Sequence, residues 1–376
     1  MVMAIGDRPQ PVHTRDDKLL GSRVPRDDEI IGSRSPVVPT RPDPAGPAAG
    51  IDCAGMANGR YTLRIDPWAA EYEGSIQLGE EDEAVAVDIR VEAVAWAAIR
   101  PPAAPPPRRI AFVDGVRRIE HRLLIGDEER TVFGLLGSFG VGVALVDGMA
   151  RVEHETIGRV AVAGGGLKLD PFEAPIDGRG TLLFEPRSEA ENTPVAPVDG
   201  LQKAMRHTEA GLAERLSSEV DVVFLDGPLT FLTAAAGGRV VGFVKRLLRN
   251  YLDPSAHALL PRLEVGERTP LFLIPGREPR YAWYVRIARG RPIESALTGV
   301  VRLEAKAARG LEEAKTLADL SAREMKRFAS DAMRDPRAPQ NLFPIGGLEA
   351  RLKHLLGDPA VVRRAVEAQL HSEVTA

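Results

Sequence analysis

Two aspartates in matched settings are the residues best placed to do chemistry. Asp114 ends Ile110-Ala-Phe-Val-Asp and Asp226 ends Val222-Val-Phe-Leu-Asp, and each is followed at once by glycine. A short apolar, β-favouring run closed by glycine predicts a buried strand that stops where the backbone turns. A carboxylate at that point stands at the edge of a sheet, and two of them can converge on one divalent ion or on a pair of ions. Such sites hydrolyse phosphodiesters by activating water and neutralising charge on phosphate. The plainer alternative is that Asp-Gly marks a turn in each case.

Further groups extend the pair. Glu209 lies 226 − 209 = 17 positions before the second aspartate, on a segment whose Leu201, Met205, Leu212, Ala213 and Leu216 recur at helical spacing. That spacing sets Glu209 at the margin of the apolar stripe, facing the sheet, with Arg206 three residues back as a simple ion-pair partner. Lys245, in Val-Val-Gly-Phe-Val-Lys, is a candidate phosphate contact or a solvated surface lysine. Tyr281 and Trp283 alternate with Tyr284 and Arg286 on a strand, as core or as a stacking surface beside a phosphate-binding arginine. His354 follows Glu349 near the C-terminus and is a candidate metal ligand or proton carrier. Asp, Glu and Asp on separate elements form the hard-oxygen set that suits magnesium or manganese. No P-loop, His-Glu-x-x-His helix or Gly-x-Ser-x-Gly elbow is present.

The elements that position these groups follow from pattern. Residues 1–58, rich in Pro, Arg, Asp and Gly, read as a disordered tail. An N-terminal β segment is expected over 59–100, then a Pro-rich linker over 101–108. Strands are expected at 109–114, 116–125, 131–146 and 152–163, a helix at 200–217, and a strand at 221–225. A helix follows at 240–250, strands at 271–274, 281–287 and 300–303, and helices over the last seventy residues. The layout is α+β with a mixed sheet.

The 376 residues carry a net charge of −4, with 44% hydrophobic and 27% charged residues. Nucleic acid is therefore expected to bind through local basic patches, not through a global field. The single Cys53 excludes an intramolecular disulfide and a Cys-rich zinc site. The longest apolar run, 133–146, is too short and too broken by glycine to span a bilayer, and no signal peptide is visible. A cytoplasmic protein without membrane contact is expected.

The order of these motifs resembles that of the NurA nuclease family. The matching segments are Ile110 to Gly115, Met205 to Glu209 leading into Val222 to Leu229, Val241 to Lys245, Tyr281 to Arg286, then Arg334-Asp335-Pro336 and Phe343-Pro344. The resemblance implies an RNase H-like core over 109–376. It also implies a manganese- or magnesium-dependent DNA nuclease, acting as a homodimer on a HerA-type hexameric ATPase in DNA end processing. Asp114, Glu209 and Asp226 are then the metal-binding carboxylates. His354 and Lys245 join them in catalysis, and Arg117, Lys245, Tyr284 and Arg286 contact DNA. Phe343 replaces the family's tyrosine, and Arg351 falls where its histidine is expected, leaving the fourth group among His354, Arg351 and Asp335. Two rivals stand beside this: a DNA-binding scaffold for the motor without strong catalysis, and an RNase H-like nuclease that cuts RNA.

Overall fold

The computed structural model describes residues 62–65 and 86–375, apart from 128–129, 177, 179, 234–238, 248, 292, 332, 334 and 336. All of these fall in one compact unit, Cys53–Ala376. The tail expected over 1–58 lies outside the described residues.

Strand β1 (Thr62–Ile65) precedes a meander of three long strands, β2 (Ile110–Asp127), β3 (Arg130–Val146) and β4 (Ala150–Ala163), with β5 (Phe172–Ile176) and β6 (Gly180–Ser188) after it. Helix α1 (Ala196–Leu216) leads into β7 (Val222–Asp226) and β8 (Val240–Val244). A short α2 (Pro254–His257) precedes β9 (Phe272–Ile274), β10 (Arg280–Arg286) and β11 (Val300–Lys306), and the chain closes with α3 (Leu311–Glu324), α4 (Phe343–Leu355) and α5 (Pro359–Thr375). The sheet runs β5-β6-β4-β3-β2-β7-β8-β11-β10-β9. The meander is antiparallel, whereas β7 is parallel to both β2 and β8, so helices flank a mixed sheet in an α+β arrangement.

Two expectations are corrected. Residues 109–114 and 116–125 form one strand, because Gly115 stays in the ladder opposite Val141 of β3. The helix expected over 240–250 begins as strand β8, whose five residues are all buried. A short apolar run has no period that separates a buried strand from a helix, and burial between β7 and β11 decides it here. Residues 86–100 form isolated bridges, Asp88 with Leu273 and Ile99 with Arg268. There Glu92 accepts from both terminal nitrogens of Arg268, at 2.8 and 2.7 Å.

Strand alternation sorts the core. Ile110, Phe112, Val222, Phe224, Val241 and Phe243 pack with residues of α3 and α4 on one face. Ala111, Val113, Val223, Leu225 and Val240 pack with α1 on the other. The glycines that interrupt β3 let the helices close in: a Cβ at Gly137 would lie 2.6 Å from Leu201 of α1, and one at Gly142 3.1 Å from Leu348 of α4. The free edge of β2 is shared, with Ile110–Val113 paired to β7 and Leu123–Gly126 paired to β1. Asp114 is the first residue past the β7 pairing, where the two strands part.

Candidate active site

Three neighbouring parallel strands deliver polar groups where their parallel pairing ends. Asp114 follows the last β2–β7 pair, Asp226 is the last residue of β7, and Lys245 directly follows β8. Alternation carries all three toward the face covered by α3 and α4. Asp114 is buried, with 3% of its surface exposed. Lys245 Nζ lies 3.1 Å from Asp226 Oδ2, and both side chains are partly shielded.

Glu209 arrives from the opposite face. Pro197 starts α1, Leu201, Met205, Leu212 and Leu216 bury its stripe, and Glu209 sits inside that stripe with no exposed surface. This is deeper than the margin its spacing suggested. The absent side chain of Gly115 makes it possible, since a Cβ there would lie 2.5 Å from Glu209 Oε1 and 2.9 Å from Met205 Cγ. Arg206 Nη1 donates to Glu209 Oε2 at 2.8 Å and also to the backbone carbonyl of Asp226. Gly227, at φ +96°, leaves room for that guanidinium, which would stand 3.1 Å from a Cβ. The glycine after each aspartate thus admits one residue of α1.

Glu209 Oε1 has no hydrogen-bond partner although it is buried. Burial raises the Glu209 carboxyl to about 7, with the Asp226 charge adding to the rise and Arg206 opposing it. Burial also pushes Asp114 well above the usual carboxylate range, reinforced by the Asp226 charge and weaker contributions from Glu209 and Glu349, and opposed by Lys245. Lys245 and Arg206 are both held above their ordinary values: burial works against this, and the neighbouring carboxylates outweigh it. The site is therefore short of positive charge. An unpartnered buried carboxylate oxygen beside an Asp–Asp pair fits a hard divalent cation by donor chemistry. As the side chains stand, no group of three His, Cys, Asp or Glu among the described residues is gathered to hold an ion. Lys245 lies against Asp226 Oδ2 alone, so the other oxygen of that carboxylate is not taken by this ion pair.

A second layer backs the first. Lys245 Nζ donates to Asn341 Oδ1 at 2.8 Å, and Asn341 Nδ2 donates to Asp335 Oδ2 at 2.6 Å. Arg337 bridges Asp335 to Glu349, which it holds through two bonds of 2.8 and 2.7 Å. Burial alone would raise Asp335, but hydrogen bonds from Asn341 and Arg337 hold it down to about 2. Sequence reasoning passed over Asn341, Arg337 and Glu349 in this role. Asn341 meets Lys245 across 96 positions, and nothing in its local pattern signals that contact.

Other candidates lie elsewhere. His354 is exposed in the last turn of α4, five residues and about 140° round the helix from Glu349, and is not brought to the carboxylates. Arg351 is exposed and pairs with Glu155 of β4 at 3.3 Å. Tyr284 and Arg286 sit on β10, which is separated from β7 by β8 and β11. Tyr284 is buried and stacks on Phe272 at 5.7 Å, its hydroxyl pushed up to about 12 chiefly by burial. Arg286 is buried and donates to the carbonyls of Leu260, Pro261, Ala296 and Thr298. As placed, neither is open to a nucleic acid, because residues 251–263 cover that face. Arg117 is half-buried on β2, where burial lowers its guanidinium and the Asp199 and Arg206 charges act on it.

No protein-family model matches the chain, and no curated protein matches it by sequence. Among solved structures, the NurA nuclease from Sulfolobus solfataricus aligns at 12% identity over 74% of this chain and 87% of that chain, with a TM-score of 0.40. A likeness that weak carries no weight for function, and the assignment rests on the residues. Among the described residues, no helix is long and apolar enough to cross a membrane.

Proposed function

We propose that this protein is a metal-dependent nuclease that hydrolyses phosphodiester bonds in DNA, with Asp114, Glu209 and Asp226 as the carboxylates that hold Mn2+ or Mg2+. The observation that carries the reading is the unpartnered buried oxygen of Glu209 beside Asp114, where β2 leaves its parallel pairing with β7, and Asp226, the last residue of β7. A divalent ion held there would lower the pKa of an attacking water and neutralise charge on the scissile phosphate. Arg206 fixes the other oxygen of Glu209 and so aims Oε1 toward Gly115 and the strand edge. Lys245 supplies an ammonium beside Asp226, placed to stabilise negative charge developing on phosphate oxygens. The antiparallel meander β2–β4 continued by parallel β7 and β8 is the part of the sheet to which an RNase H-like core would correspond. Homodimerisation and action with a HerA-type hexameric ATPase in DNA end processing belong to the same proposal.

The test is manganese-dependent cutting of single- and double-stranded DNA, with RNA in parallel, by wild type and by a folded Asp114→Ala variant. Loss of DNA cutting in the variant supports the reading. Retained cutting removes Asp114 from the site, and preferential RNA cutting replaces the substrate. A second reading, a DNA-binding scaffold that needs no metal, draws on the Lys245–Asp226 pair, which already neutralises one carboxylate. Binding of Mn2+ to the free protein separates the two.

A further inference from the structure

We propose that Asn341 is a positioning residue for Lys245, locking its ammonium against Asp226 from a loop that packs next to α4; its catalytic consequence rests on the nuclease reading. Lysine is a point charge on a flexible stem, and one ion pair leaves that stem free to reorient. Lys245 has two anchors, Asp226 Oδ2 at 3.1 Å and Asn341 Oδ1 at 2.8 Å.

Asn341 is suited to the task because its amide can satisfy its neighbours in one sense only. It has no exposed surface, so neither end of the amide can turn to water. Lys245 can only donate, so it takes the carbonyl oxygen. Asp335, held ionised, can only accept, so it takes the NH2 group. Asp335 is fixed in turn by the Arg337 backbone N–H at 2.8 Å and by the Arg337 guanidinium, itself clamped on Glu349 of α4. A rigid chain of bonds thus runs from α4 to the end of β8. Without it Lys245 keeps only a partly exposed ion pair, which is a weak constraint on a long side chain.

The experiment compares wild type, Asn341→Leu, Asp335→Asn and the double swap Asn341→Asp/Asp335→Asn. The swap keeps the total charge and both bonds of residue 341, whose new carboxylate accepts from Lys245 and from the new amide at 335. That amide gives up the 3.2 Å bond from Arg337 Nη2, but its oxygen still accepts from the Arg337 backbone N–H. The first readout is acylation of lysine amines in metal-free protein followed by mass spectrometry, with exposed Lys168 as internal reference. Wild-type Lys245 is expected to be shielded, Asn341→Leu and Asp335→Asn to raise its labelling several-fold, and the swap to return it toward wild type. The second readout is kinetics. Asn341→Leu is expected to lower kcat roughly tenfold to a hundredfold with KM for DNA little changed, the size of a lost charged hydrogen bond to the transition state, and the swap to recover most of it.

Unchanged Lys245 labelling in both Asn341→Leu and Asp335→Asn overturns the proposal, as does a swap that stays as labelled as Asn341→Leu. If Asn341→Leu fails to fold, Asp335→Asn and the swap decide by the same labelling. Shielding that follows the expected pattern in a wild type that cuts no DNA upholds the positioning role and removes the nuclease reading instead.

Discussion

Replacing Glu209 by glutamine tests the electrostatics of the site without relying on activity. The Glu209 carboxyl rises from an ordinary 4.5 to about 7 in the fold, chiefly through burial. A carboxyl raised in the folded state binds its proton there after the unfolded chain has released it. The resulting stability is complete below about 4.5 and is lost as pH rises through about 7. The rise from 4.5 to about 7, at about 1.4 kcal/mol for each tenfold gain in proton affinity, amounts to roughly 3 kcal/mol. Glutamine mimics the protonated form and keeps an acceptor oxygen for Arg206. In EDTA, E209Q should therefore match wild type near about pH 4 and exceed it by roughly 3 kcal/mol near about pH 8 in urea denaturation. Manganese at about a hundred times its Kd should add roughly 2.7 kcal/mol to wild type and much less to E209Q. An E209Q variant less stable than wild type at both pH values, or indifferent to pH, would refute this reasoning.

Other perturbations have separable outcomes. Gly115→Ala drives a methyl toward Glu209 Oε1 and Met205, at 2.5 and 2.9 Å, and should cost about 1–3 kcal/mol in chemical denaturation while abolishing cleavage. Arg286→Met leaves several backbone carbonyls without their donor, and should cost at least about 2 kcal/mol while KM for DNA stays unchanged. His354→Ala should leave the pH–rate profile and kcat unchanged, because His354 is exposed and not gathered with the carboxylates.

What could be read from the sequence, and what could not, divides along the range of the interactions. Asp226 at the end of its strand and the Leu201–Met205–Leu212 stripe are local patterns, and periodicity captures them. Spacing puts Glu209 on the correct helix but too near its margin, since only the fold shows that Gly115 leaves a space above it. The glycine after Asp114 reads locally as a strand end, yet β3 runs opposite it and holds it in the ladder. Alternation along β10 correctly set Tyr284 with Arg286, but not that residues 251–263 bury that face. The Lys245–Asn341–Asp335–Arg337–Glu349 chain links strand, loop and helix, and no short-range pattern encodes it.

The most direct measurement is cleavage of end-labelled single- and double-stranded DNA in manganese, magnesium or EDTA, with wild type beside Asp226→Ala. The account predicts cleavage by wild type in manganese or magnesium, none in EDTA, and none by a folded Asp226→Ala protein. Cleavage that persists in EDTA or in that variant, or a wild type that binds no manganese and cuts neither substrate, would contradict it.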